Sequence, residues 1–385
     1  MSTPTPDLVV VGAGIVGLSA AYEAAGRGLR VTIVDGRHQG WATDAGAGIV
    51  NPLDLSGGLS DVERARIALS GPEHYRELLD RLHEDGESDV GFERVGQIVV
   101  ARDDDEEAVL GQLAEGLTDK TVPSLADYLG EPQRITAAEA TASVPYLTAE
   151  VRALLLPGVA RVDGRRMASA LTRAAARRGV HRRDGMARIA MSDGRAVGVD
   201  VDGDRIAAGS VVVASGAWLS EDPSLRALDH AVRPVRGQIV HLAYPHGPLG
   251  RTPIVSSLAG PYVLAFDPDR VVTGATHEAA GFDYRVTAGG VAAVLADGLR
   301  LAPGLADASM VETRVGFRPV SADGAPIIGP VPGIDDLVVA TGLGAHGLTL
   351  GPVVGAIAAR IAVGLDPGQD VAALHPGRFL APAGI

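Results

Sequence analysis

Three glycines at a fixed spacing constrain this chain more than any other feature. Asp7–Val11 (DLVVV) is a short, continuous apolar run of the kind a fully buried parallel strand shows. Gly12, Gly14 and Gly17 follow at once, and the small and apolar residues from Ile15 to about Ala25 are expected to form a helix. In such a turn the first glycine permits the tight bend and the second lets a pyrophosphate approach the backbone. The third lets the helix pack close to the sheet. N–H groups of the first helical turn, those of Ile15 and Val16 among them, then face the phosphates. Leu29–Val34 reads as the second strand, and Asp35 closes it at the distance where an acid accepts from ribose hydroxyls. Gly36 and Arg37 open the loop beyond it. The motif means a dinucleotide; it leaves NAD and FAD both open.

Bulk composition narrows the rest. The chain has 385 residues, 46% hydrophobic and 21% charged, which suits a globular protein of two structural domains. A formal net charge of −13 gives it no electrostatic reason to bind nucleic acid or an anionic membrane. Lys120 is the only lysine and lies in a polar, loop-like stretch, which argues against pyridoxal phosphate chemistry. The absence of cysteine excludes disulfides, zinc–thiolate sites, redox dithiols and cysteinyl-linked flavin. No His/Asp/Glu cluster has metal-ligand spacing, so no metal is expected. Met1–Asp7 has no basic n-region, and no stretch is read as long enough to span a membrane, so the expected location is cytoplasmic.

Along the chain, helices are expected at Pro72–Glu84, Asp103–Leu117, Thr136–Ser143, Asp163–Arg178 and Ala288–Leu301, with a Gly/Ala-rich last helix reaching about Val363. Strands are expected at Phe92–Ala101, Val180–Ile189, Ala196–Asp202, Val211–Ala214 and Leu337–Ala340. Residues 232–315 read as mostly β. The nucleotide-type segments stand at opposite ends of the chain. The expected fold is therefore α/β (α+β): a discontinuous Rossmann-type domain (1–88, 150–221 and 316–385) with an inserted substrate domain (89–149 and 222–315).

Several ordered segments together resemble the D-amino acid oxidase superfamily of FAD-dependent oxidoreductases, nearest its glycine oxidase and D-amino acid dehydrogenase branch. They are the opening Asp7–Asp35, AGAGIVNP (Ala45–Pro52), VVVASGAWLS (Val211–Ser220), RPVRGQ (Arg233–Gln238), RVVTGATHE (Arg270–Glu278), VGFRPVSADGAPIIGP (Val315–Pro330) and ATGLGAHGLTLGP (Ala340–Pro352). The resemblance covers nearly the whole chain. It implies FAD as cofactor and a second domain built on a large antiparallel sheet, with the pocket between that sheet and the flavin. It implies flavin contacts from Ala45, Gly46, Ala47, Gly48 and Ile49, from Val180, from Ala214, Ser215, Gly216 and Trp218, and from Gly344, Ala345, His346, Gly347, Leu348 and Thr349. The helix N-terminus near Gly347–Leu350 would face flavin N1 and O2 and favour the negative charge of the reduced state. No histidine lies in Ala42–Pro52, and His38 is not at the family's linkage position, so non-covalent FAD is expected.

The same resemblance makes Arg318 the partner of the substrate carboxylate and also a contact of the flavin site; an ordinary salt bridge to an acid such as Asp323 is the alternative. Tyr262 matches a pocket-lining position and would add its hydroxyl to the carboxylate, or else is a half-buried sheet tyrosine. His277 departs from the family and would meet a polar substrate group, assist an amine proton, or serve structure alone. No arginine stands beside Ala345 and His346, where some relatives carry a second one. The expected activity is oxidation of the C–N bond of glycine, an N-substituted glycine or a D-amino acid by hydride transfer to flavin N5, with imine hydrolysis afterwards. The alternatives are a flavoenzyme of the same fold acting on a 2-hydroxy acid or polyol phosphate, and a non-catalytic FAD-binding subunit. The sequence leaves O2 and a quinone both open as acceptor: Val271–Val272–Thr273 stand where sarcosine oxidases carry a lysine.

Overall fold

Long apolar runs bounded by glycines make the first of the two larger sheets. The computed structural model describes residues 5–53, 62–101, 103–118, 127–147, 152–258 and 260–380. Six strands run in the order Ile327–Pro330, Leu337–Thr341, Ser210–Val213, Leu8–Val11, Val31–Asp35 and His181–Asp184. Neighbours are parallel except the outermost pair, where Ile327–Pro330 runs antiparallel to Leu337–Thr341. Val9, Val10, Val211 and Val212 are buried on both faces, as parallel strands covered by helices must be. The opening helix Ile15–Gly26 packs against the last helix Gly347–Ala362. Glycine sets that approach: a Cβ on Gly351 would come within 2.5 Å of Ile15 Cγ2, and one on Gly355 would overlap the Val16 carbonyl oxygen.

With its preceding turn, the last helix is 19 residues of mean hydropathy 1.3, long and apolar enough to cross a membrane, contrary to the expectation from sequence. Here 67% of it is buried against its neighbours, which accounts for the apolar composition.

The second sheet has eight strands, in the order Ser309–Ser321, Val232–Ala243, Arg270–Gly274, Tyr262–Phe266, Ile254–Ser257, Gln97–Ala101, Arg152–Leu156 and Gln133–Ile135. It is antiparallel except for one parallel pair, Ile254–Ser257 with Gln97–Ala101. Alternation splits its side chains cleanly. Ile98, Val100, Val240, Val255, Val263 and Val271 face helix Ala288–Leu301, meeting Val294 and Leu301. Val99, Leu154, Ile239, Ile254, Leu264 and Val272 form the core of the opposite face.

Most elements lie within a residue or two of their expected bounds. Others differ. Helix Val62–Glu84 begins well before Pro72, which it accommodates internally. Strands Gln133–Ile135, Arg152–Leu156 and Ile327–Pro330 were not expected, being too short to show a period of their own. The single strand expected over Val180–Ile189 is two, His181–Asp184 and Ala187–Ser192, broken at Gly185 with φ of 142°. Lys120 lies outside the described residues.

Candidate active site

A cavity of about 930 Å3 runs from the C-terminal ends of the parallel strands to one face of the eight-stranded sheet. Open parallel sheets place ligands at such strand ends. At one end lie Val11, Gly12, Ala13, Gly14, Ile15 and Val16. Gly12 has φ of 100°, and a Cβ there would run into the Ala214 carbonyl. Gly14 has ordinary extended angles, and a Cβ there would meet only Thr43 Oγ1 at 3.5 Å, so its bare face belongs to the cavity. Gly17 does not line the cavity. A Cβ on it would overlap Gly12 O and press within 3.3 Å of Val10, which makes it the close-packing glycine between helix and sheet.

No side chain of Gly14 caps the opening helix; Thr43 Oγ1 accepts from the Ile15 N–H at 2.9 Å. Asp35, Gly36 and Arg37 continue the wall. Asp35 accepts from Arg182 at 2.6 Å and from the Arg37 backbone N–H at 3.3 Å. Opposite stand Met186, Ala187, Arg188 and Ile189. Val180 is corrected here: it does not line the cavity but packs partly buried against the core beneath. The strand breaks at Gly185; beyond that turn Met186–Ile189 line the cavity, and before it only the Arg182 side chain reaches it.

The middle is walled by Ala45–Ile49, by Ala214, Ser215, Gly216 and Trp218, and by Gly344–Thr349 at the uncapped N-terminus of the last helix. The His38 ring stacks on Trp218 at 4.5 Å and 11°, with Nε2 3.3 Å from Glu221. Asn51, Gln97 and Ser256 add a buried hydrogen-bonded wall that the sequence reading missed. The overlooked signal was Gln97, a polar residue at the head of the apolar strand QIVVA. Arg182 escaped as well, because its meeting with Asp35 depends on the parallel pairing of the two strands.

At the far end, Arg318, Tyr262 and His277 come together. Arg318 sits on strand Ser309–Ser321, opposite Val235. Its guanidinium lies over Gly237, where a Cβ would collide with it. One Nη donates to the Thr276 carbonyl at 2.9 Å. Among the described residues no carboxylate pairs with it; Asp323, the alternative partner, holds Arg378 at 2.7 Å instead. Tyr262 extends its hydroxyl over Gly274, whose Cβ would come within 2.5 Å of it. Burial pushes the Tyr262 phenol up to about 12, against the pull of Arg318, so it is a protonated donor at neutral pH. Burial, and then Arg318, hold His277 below its usual value, so its imidazole is neutral there. Burial also lowers Arg318, offset by Tyr262, but a guanidinium stays charged.

The cavity fits a flavin dinucleotide. Its phosphate end is a glycine turn that a Cβ would obstruct, its length reaches a second helix N-terminus, and its volume is at the upper end for ligand sites. The comparisons agree. A profile of FAD-dependent oxidoreductases matches residues 7–361. Glycine oxidase of Pseudomonas aeruginosa is 33% identical, the match covering 96% of this chain and 98% of that protein. An uncharacterized oxidoreductase of Bacillus subtilis is 39% identical over 97% of this chain and 99% of its own length. Among solved structures, iminodiacetate oxidase from Chelativorans sp. BNC1 superposes with a TM-score of 0.89 at 40% identity, covering 96% of this chain and 98% of that one. The chain belongs to the D-amino acid oxidase family of FAD-dependent oxidoreductases, in its glycine oxidase branch.

Proposed function

We propose that this enzyme oxidises the C–N bond of a small amino acid or N-substituted glycine. One observation carries the reading: Arg318 is a half-buried cation on the cavity wall with no carboxylate partner among the described residues. A desolvated guanidinium left without an anion is costly, and a ligand carboxylate supplies one in bidentate fashion. Tyr262, held protonated, adds a donor to the same carboxylate. Neutral His277 leaves the amine end uncharged and able to take the proton that the ammonium form must lose. Bound FAD supplies the two-electron acceptor; Gly344–Thr349 carry the helix N-terminus that favours negative charge beside it.

In this reading FAD is held without a covalent bond, since the chain has no cysteine and no histidine in Ala42–Pro52. The flavin-binding and substrate-binding parts divide as residues 1–88, 150–221 and 316–385 against 89–149 and 222–315, and the enzyme works in the cytoplasm with O2 or a quinone as acceptor. The test is anaerobic bleaching of the bound flavin. Glycine, sarcosine, iminodiacetate or a small D-amino acid is expected to bleach it, while lactate and glycerol 3-phosphate leave it oxidised, and acid should release intact FAD into the supernatant. Bleaching by hydroxy acids alone would overturn the proposal.

Asp35 is expected to hold the ribose of the cofactor. Asp35→Ala should weaken FAD binding by about 2–4 kcal/mol, roughly 30-fold or more, with the fold retained. Arg182 loses its partner but keeps Asp184 at 3.2 Å, so stability should change little. Fluorescence titration of the apoprotein measures the affinity; unchanged affinity would remove Asp35 from the ribose.

A further inference from the structure

The buried polar wall has a direction that its hydrogen bonds dictate. The Leu53 backbone N–H can only donate, and it donates to Asn51 Oδ1 at 2.8 Å. The Asn51 amide nitrogen must then face Gln97, and it donates to Gln97 Oε1 at 2.7 Å. That leaves the Gln97 amide nitrogen to donate to Ser256 Oγ at 2.7 Å. All three side chains are more than nine-tenths buried, and all three line the cavity. Ser256 Oγ is thus an acceptor within the wall, so its own O–H proton must be given elsewhere. Among the described residues no acceptor takes it. A chain of four groups therefore ends in one donor with no acceptor among the described residues at a buried cavity wall, a costly arrangement unless a ligand or water completes it.

The sheet register places this donor relative to the carboxylate site. Ser256 stands directly opposite Tyr262, and Tyr262 opposite Gly274. The Tyr262 hydroxyl leans over Gly274, away from Ser256. Two strand spacings thus separate the two hydroxyls, about 10 Å. With a hydrogen bond of about 2.7 Å at each end and the ligand passing over the Tyr262 ring, the acceptor atoms lie at least roughly 4–5 Å apart. That is the span of two oxygen-bearing arms joined through a single amine nitrogen.

We infer that Ser256, oriented by Gln97 and Asn51, forms a second subsite for an oxygen acceptor on the substrate's N-substituent, so that the substrate is a glycine N-substituted by an arm ending in a carboxylate or carbonyl. The inference rests on Arg318 and Tyr262 holding the first carboxylate. It concerns which secondary amine is preferred, and it makes Ser256 a specificity residue that leaves the reacting bond to others.

Ether analogues test it without turnover, because an ether oxygen replaces the oxidisable amine. Diglycolate carries both acid arms, methoxyacetate one acid and a methyl, and diglycolate monoamide one acid and one carbonyl. Each is titrated against the FAD-loaded enzyme by its perturbation of the flavin visible band. The wild type is expected to bind diglycolate or the monoamide about tenfold more tightly than methoxyacetate. A preference for the diacid identifies a carboxylate arm, and equal binding of the monoamide identifies a carbonyl; either supports the subsite. In Ser256→Ala the ratio should fall to near one. Equal binding of all three analogues by the wild type, or a ratio unchanged in Ser256→Ala, would overturn the inference. Arg318→Lys separates the two ideas: it should weaken every analogue alike, and if it weakens none, the carboxylate site itself is wrong.

Discussion

Arg318→Lys is expected to raise the apparent KM for the amino-acid substrate by roughly 10- to 100-fold while FAD stays bound and the protein stays folded. The magnitude is the loss of a charge-assisted, bidentate contact of about 1.5–3 kcal/mol, which a point-charge ammonium on a flexible stem cannot reproduce. The fold should tolerate the change because Arg318 has no carboxylate partner among the described residues to be left unpaired, and the smaller head group fits the space above Gly237. Flavin reduction should slow as well, since a misplaced Cα–H lies off the line of transfer. A decarboxylated amine analogue has no carboxylate to lose and should be affected much less. Stopped-flow reduction with acid and analogue, on both proteins, decides the matter. Equal losses on the two substrates, or lost flavin and thermal stability, would make Arg318 a structural residue.

Gly14→Ala should abolish high-affinity FAD binding, by a factor on the order of 100, while the apoprotein keeps its fold. Gly12→Ala should cost both. The two glycines differ in what surrounds them. Gly14 has φ of −73°, which alanine adopts freely, and its Cβ would meet only Thr43 Oγ1 at ordinary contact distance. The obstruction falls entirely on a phosphate brought against the backbone. Gly12 has φ of 100° and faces the Ala214 carbonyl, so alanine there incurs both the left-handed backbone penalty and a collision within the protein. Together those come to about 2–5 kcal/mol of lost stability. Thermal melts of the two apoproteins and FAD titrations of each measure the contrast. Wild-type FAD affinity in Gly14→Ala would take the pyrophosphate away from this turn.

The parts of the site that were legible in sequence share one property: their chemistry is local. Gly12, Gly14, Gly17 and Asp35 form one βαβ unit, whose turn angles and residue spacing are enough to specify a phosphate cradle. Arg318 and the Gly344–Thr349 turn were read from ordered segments that keep a family's arrangement, and the cavity collects both. Val180 failed for a geometric reason. It precedes the N-terminal end of the parallel strand His181–Asp184, whereas the cavity lies at the C-terminal ends, and no period in a ten-residue run marks where that strand starts or breaks.

By itself, then, the sequence determined the dinucleotide fold, the family and the flavin, and it singled out Arg318 as the candidate partner of a substrate acid. It could do so because glycine angles, strand runs and motif order are properties of short stretches. Only the tertiary structure decided what Arg318 faces, because whether an arginine ends on an acid or on an open wall depends on strands far apart in the chain: Gly237 clears the space, and Arg378 takes Asp323 away. Tertiary packing alone also joined Asn51, Gln97 and Ser256. Each is an ordinary polar residue in its own segment, and only the parallel pairing of Ile254–Ser257 with Gln97–Ala101 and the packing of Asn51 against Gln97 set them in one hydrogen-bonded line, whose last hydroxyl proton has no acceptor among the described residues.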